Sequence, residues 1–117
     1  NPVMVTKDGK IRYILSSPGG PAQTVTNVQV LSNLVDRGME LSLAVDSPRW
    51  SLNSQGEALL EEEFSESVVH GLNDRGHAVG RSAGASYFGS AKCIEVLPNG
   101  VLCGAADGRR EGFAAGV

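Results

Sequence analysis

The chain has 117 residues, 41% of them hydrophobic and 5% aromatic, enough for one small domain or for a piece of a larger one. Ten Lys and Arg against 13 Asp and Glu give a net charge of −3 with no basic cluster, which together with the few aromatic rings argues against a nucleic-acid surface. No apolar run approaches the roughly 20 residues that span a bilayer.

The opening stretch Asn1-Pro2-Val3-Met4-Val5 has neither a basic segment nor an apolar h-region, so no signal peptide is expected. It lacks an initiator Met and enters a strand at once, and reads as cut from something longer. Val3-Met4-Val5 and Ile11 to Leu15 are β-type runs, and Asp8-Gly9 between them is a hairpin signal, because both residues tolerate positive φ. Next comes Ser16-Ser17-Pro18-Gly19-Gly20-Pro21. Two glycines at a strand-to-helix junction allow positive φ and close approach, and Pro21 suits a first helical turn. The unshielded amides of Gly19 and Gly20 then sit at the positive end of a helix, which suits an anion or a developing oxyanion. By spacing alone, a tight turn with no ligand is the other reading.

From Ala22 to Arg37, Val25, Val28, Leu31, Leu34 and Val35 recur at helical spacing, predicting one apolar face packed on a sheet, with Gly38 as the stop. Glu40 to Asp46 predicts a shorter helix that buries Leu41, Ala44 and Val45 and ends because Ser47 precedes Pro48. Ser51 to Gly56 reads as loop and Ala58 to Glu61 as a strand. Glu61-Glu62-Glu63 reads as a solvated edge rather than a metal site, since neighbours on an extended chain point to opposite sides. Ser65 is expected to cap a third helix, with Phe64 stapled to Val69 and with Val68, Val69 and Leu72 apolar. His77-Ala78-Val79 starts another strand, and Arg81 to Ser86 is a loop. Ala91 to Leu97 and Val101 to Ala105 form a second hairpin around Asn99-Gly100. The tail 106–117 has one aromatic anchor, Phe113. The order of elements predicts an α+β fold of antiparallel hairpins packed against helices, within a single domain over residues 1–117.

Few residues offer chemistry. His70 and His77 read as surface or helix-end residues, with no second metal ligand at useful spacing. With a two-residue Asn99-Gly100 turn, Cys93 pairs with position 106 and Cys103 with 96, placing the thiols on opposite faces; a three-residue loop would shift that register. Both cysteines read as small buried hydrophobes. No serine lies in Gly-x-Ser-x-Gly, and no Gly-Lys-Ser/Thr follows the glycine turn. No metal and no cofactor is expected. The chain alone offers an anion-stabilising turn and no nucleophile.

Several stretches in collinear order resemble one family. They are Pro2-Val3-Met4-Val5 with Lys7-Asp8-Gly9-Lys10, Ser17-Pro18-Gly19-Gly20, the helix Thr24 to Gly38, Ala44-Val45-Asp46-Ser47-Pro48-Arg49, Gly104-Ala105-Ala106-Asp107-Gly108-Arg109 and Ala114-Ala115-Gly116. Together they resemble the C-terminal part of the small subunit of γ-glutamyltransferases (γ-glutamyltranspeptidases), which are N-terminal nucleophile hydrolases. Asp107-Gly108-Arg109 departs from the family's usual Asp-Pro-Arg, and Val117 stands where an aromatic often closes the chain.

The resemblance implies part of an αββα sandwich. It implies an enzyme that cleaves or transfers γ-glutamyl amides through an acyl-enzyme on a threonine freed by self-cleavage, with that threonine's α-amino group as base. Gly19 and Gly20 match the turn whose amides serve the oxyanion, a donor being worth roughly 3–4 kcal/mol. The threonine and the residues holding the glutamyl group precede Asn1 in the family, so the 117-residue chain alone is expected to be inactive. Its expected partners are the rest of the precursor, namely the large subunit and the N-terminal part of the small subunit, and a small γ-glutamyl or related amide substrate. Self-association of the fragment through strand edges is expected as well. Pro48-Arg49-Trp50 and Tyr87-Phe88-Gly89-Ser90 look more like the divergent branch, which keeps open a related acylase or amidohydrolase. A non-catalytic assembly module is the reading from another class. Cysteine usage fits either a cytoplasmic or an exported parent.

Overall fold

The computed structural model describes residues 2–18, 20–84 and 87–116. In chain order the elements are β1 (Val3–Lys7), β2 (Lys10–Ser16), α1 (Ala22–Val35), α2 (Leu41–Asp46), β3 (Trp50–Leu52), β4 (Ala58–Leu60), α3 (Glu66–Asn73), β5 (Val79–Arg81), β6 (Lys92–Val96) and β7 (Leu102–Ala106). A four-stranded antiparallel sheet runs β1-β2-β6-β7, and α1 and α2 cover its inner face. A second sheet runs β3-β4-β5. The α+β class expected from the hairpins is therefore the observed one.

Local chemistry explains most boundaries. Asp8 (φ 53°) and Gly9 (φ 74°) both sit in the left-handed region, as a two-residue turn between twisted strands requires. Ser47 is extended (φ −51°, ψ 144°) ahead of Pro48, which ends α2. Tyr13 and Leu15 point inward from β2 onto Val30, Leu34, Leu41, Ala44, Val45, Ala91 and Cys93, which is the main core.

Several expectations need correction. The buried face of α1 is Ala22, Thr26, Asn27, Val30, Asn33 and Leu34, whereas Val28 and Val35 are exposed. The helix is rotated from the apolar stripe, and two of its three buried polar side chains, those of Thr26 and Asn33, find backbone partners inside. Thr26 Oγ1 donates to Phe88 O (2.9 Å) and Asn33 Nδ2 to Ala44 O (3.3 Å). Ser51 and Leu52, read as loop, belong to β3, which pairs antiparallel with β4; Ser51 faces inward while the flanking Trp50 and Leu52 stay exposed. The unit β4-α3-β5 is a parallel crossover, not an antiparallel hairpin. The Ser65 hydroxyl bonds Ser67 Oγ (2.8 Å) instead of capping α3, and none of the residues of α3 is buried. Phe113 is 86% exposed, so it does not anchor the tail. Residues 85 and 86 of the expected loop, and the closing Val117, lie outside the described residues.

The second hairpin has a three-residue connection. Leu97 N donates to Val101 O (2.9 Å), Gly100 N donates to Leu97 O (2.8 Å), and Gly100 takes φ 84°. Cys93 therefore pairs with Ala105 and Cys103 with Glu95, which puts both thiols on the core face rather than on opposite faces. Both are free, Cys93 buried and Cys103 half-buried. Burial, with a smaller push from Glu95, raises the Cys93 thiol to about 11. The thiolate is the reactive form. Cys93 should therefore resist iodoacetamide at about pH 8 in the folded protein and react once denaturant is added; labelling at the rate of a free thiol without denaturant would contradict this packing.

Candidate functional site

The junction between β2 and α1 is the first candidate. β2 ends at Ser16, Ser17 is fully buried, and Pro18 and Gly20 are exposed. Gly20 takes φ 56°, a region that side chains rarely enter, and a Cβ built there would meet open space. Conformation, not crowding, is what calls for glycine. Pro21 stands at the N-cap of α1 (φ −60°, ψ −29°), and the Gly20 carbonyl accepts from Gln23 N (3.2 Å). Among the described residues the helix start has no side-chain cap, and its first turn has no acidic residue, so the positive end of its dipole stays available to an anion. Among the described residues, no protein group takes the Gly20 amide hydrogen. Gly19, the other expected donor, lies outside the described residues. Beside Pro21 runs an open groove of about 660 Å³, lined by Ala22, Val25, Ser51, Leu52 and Tyr87 among others, with no charged side chain.

The second feature is a buried set of charges. Arg49 is 1% exposed and Asp107 is fully buried. Arg49 Nη1 pairs with Asp107 Oδ2 at 2.8 Å, and the same guanidinium donates to Val45 O (2.6 Å) and Phe88 O (3.2 Å). Asp107 Oδ2 also accepts from Ala91 N (2.6 Å), and Oδ1 accepts from Arg109 N (3.0 Å). Glu61 joins from the end of β4. Its Oε2 accepts from Arg49 N (2.7 Å), and Arg109 grips both of its oxygens in a fork while donating to Ser47 O (2.9 Å). Arg49 Nε has no partner among the described residues.

This network corrects the reading of the acidic run, since Glu61 is buried and paired and only Glu62 and Glu63 are solvated. Arg49, Asp107 and Arg109 lie in stretches whose family likeness was visible, yet sequence spacing gave no sign that they meet. The charged members also touch the turn's surroundings, because Phe88 O accepts from both Arg49 and Thr26 of α1. His70 and His77 are exposed and far from a ligand set; among the described residues, no group of three or more His, Cys, Asp or Glu is placed to hold a metal.

Comparison with known proteins places the chain. The sequence profile of the family described as Gamma-glutamyltranspeptidase matches residues 1–117. An acylase ACY 1 proenzyme from Pseudomonas sp. (strain V22) is 38% identical over 117 residues, covering 99% of this chain and 20% of that protein. A glutathione hydrolase-like proenzyme from Bacillus subtilis (strain 168) is 32% identical over 124 residues, covering 99% of this chain and 23% of that protein. Among solved structures, a mutant of the Helicobacter pylori gamma-glutamyltranspeptidase superposes with a TM-score of 0.85 at 30% identity, over 94% of this chain and 60% of that one. The chain thus spans about a fifth of the length of these curated relatives.

The charge network yields a pH prediction. Burial by itself would raise the Asp107 carboxyl, but the Ala91 amide and the Arg49 guanidinium outweigh it and hold the group below the ordinary carboxylate value. A carboxyl depressed on folding stabilises fully above its unfolded pKa, about 3.9, and the contribution is lost as pH falls through the folded value. Asp107→Asn leaves Arg49 buried without its counter-charge and should cost about 3–5 kcal/mol at neutral pH. The variant's unfolding midpoint in urea should also fall less steeply than the parent's below about pH 4. Equal stability at neutral pH, or parallel acid limbs, would contradict this account of the network.

Proposed function

The chain belongs to the gamma-glutamyltranspeptidase family, and from that premise we propose that it supplies the oxyanion-stabilising turn of an amide-cleaving acyl transferase or hydrolase. In this reading the nucleophilic threonine lies elsewhere in the precursor. Its hydroxyl oxygen bonds to the amide carbon, its α-amino group takes the proton, and the carbonyl oxygen becomes an oxyanion facing the amides of Gly19 and Gly20. Collapse of that intermediate breaks the C–N bond, the amine leaves with the proton, and water or an acceptor amine then takes the acyl group.

The observation that carries the reading is the Gly20 backbone. It is exposed, in the left-handed region, unobstructed, and has no acceptor among the described residues for its N–H. That state is what an oxyanion donor needs before substrate arrives, because a preorganised donor costs no reorganisation during reaction. The exposed side chains of Val28, Val35 and Leu43 give the remainder of the precursor an apolar surface to pack on.

The relatives carry both readings of the acyl group, since an acylase proenzyme and a glutathione hydrolase-like proenzyme match at similar identity. A γ-glutamyl anilide and an aliphatic-acyl anilide, offered to the self-cleaved parent, separate the two readings. A parent that never self-cleaves and releases no aniline from either would instead be the assembly module.

Gly20→Val in the active parent tests the turn. A β-branched residue at φ 56° must twist the turn away, so kcat should fall on the order of 10²–10³-fold, as for loss of one oxyanion donor, while KM changes little. A rise in KM with kcat unchanged would mean that the turn only binds substrate.

A further inference from the structure

We propose that Ser17 is a positioning residue for the anion-binding turn, holding the Pro18 carbonyl inward while the Phe88–Ser90 segment holds Ser17. This rests on the reading of the turn given above and adds what keeps it in shape.

Ser17 is fully buried although the next residue is exposed. Its Oγ donates to Pro18 O (3.0 Å) and accepts from Ser90 N (3.3 Å). The hydroxyl hydrogen is therefore committed to a carbonyl, and among the described residues no base bonds to it, which argues against Ser17 as a nucleophile. Pro18 O is held on the Ser17 side, 3.2 Å from where a Gly89 Cβ would stand, which fixes the residue that leads into the turn. A single hydroxyl thus anchors the entry to the turn two residues before Gly20.

The holder of that hydroxyl is itself fixed from three sides. Thr26 Oγ1 of α1 donates to Phe88 O (2.9 Å), and Arg49 Nη1 donates to the same oxygen (3.2 Å). Lys92 Nζ of β6 donates to Ser90 Oγ (2.6 Å). Gly89 closes the contact. It takes φ 67°, and a Cβ there would come within 2.6 Å of Ser17 Oγ, 2.8 Å of Thr26 Oγ1 and 3.2 Å of Pro18 O. The Phe88–Ser90 backbone therefore lies directly behind the turn, at a distance only glycine permits. Buried polar groups fixed in this way are preorganised, and misalignment of the donors they orient is felt where charge develops.

The test uses the self-cleaved parent, with Ser17→Ala and Thr26→Val made alongside Gly20→Val. Cleavage is scored on a gel, rates are normalised to cleaved enzyme, and unfolding midpoints are recorded. The expected result for Ser17→Ala is a fall in kcat of tenfold or more with KM unchanged. Affinity for a boronic-acid mimic of the tetrahedral intermediate should fall by the same factor, and that for an uncleavable substrate analogue should stay constant. A purely structural hydroxyl would lower the midpoint and leave kcat and the boronate alone. If Ser17→Ala does not self-cleave, Thr26→Val is read in its place and must show the same split. Loss of kcat in Gly20→Val with none in Ser17→Ala or Thr26→Val would overturn the positioning role and leave the turn's role standing. No loss in any of the three would overturn both.

Discussion

The pair formed by Arg49 and Asp107 is the constraint on which the arrangement depends. It joins the segment after α2 to the end of β7, and each partner also binds backbone that the other cannot reach. A buried ion pair is weak evidence for net stability, because desolvation opposes the Coulomb gain. What this pair supplies is a fixed meeting point. Through Phe88 O it reaches the segment behind the turn, through Ala91 N the start of β6, and through Val45 O the last turn of α2. Glu61 and Arg109 extend the same lattice to the second sheet.

From that meeting point the path to chemistry is short. The Phe88–Ser90 segment presses on Ser17, Ser17 holds the Pro18 carbonyl, and the turn opens onto the free start of α1. The helix contributes its dipole without a competing cap or carboxylate, which keeps the site ready for negative charge. The role proposed for Gly19 and Gly20 thus rests on hydrogen bonds that hold Ser17 and Pro18 just ahead of them. Membership of the gamma-glutamyltranspeptidase family supplies the reaction class, and the packing around Ser17 explains how this chain would serve it.

What could be read from the sequence was what is decided locally. Asp8-Gly9, Pro48 and the Ser16–Pro21 junction act on their own backbone, so their consequences follow from residue type. The face of α1 was misread because hydropathy counts Thr26 and Asn33 as outside residues, while Phe88 O and Ala44 O satisfy them inside. The last hairpin was misjudged by one position, since Asn99-Gly100 signals a turn without stating whether two or three residues lie in it, and one position exchanges the faces of Cys93 and Cys103. Glu61 looked solvated because its partners come from distant stretches. Nothing near an acidic residue in sequence says that an arginine will reach it through the core.

The most direct measurement is a crystal structure of the self-cleaved parent with a boronic acid bonded to its N-terminal threonine. The account predicts that one boronate oxygen lies about 2.7–3.1 Å from the amide nitrogens of Gly19 and Gly20, with the Ser17 hydroxyl still on the Pro18 carbonyl. A boronate oxygen held by other donors, with both glycine amides bonded to carbonyls of the protein itself, would contradict it.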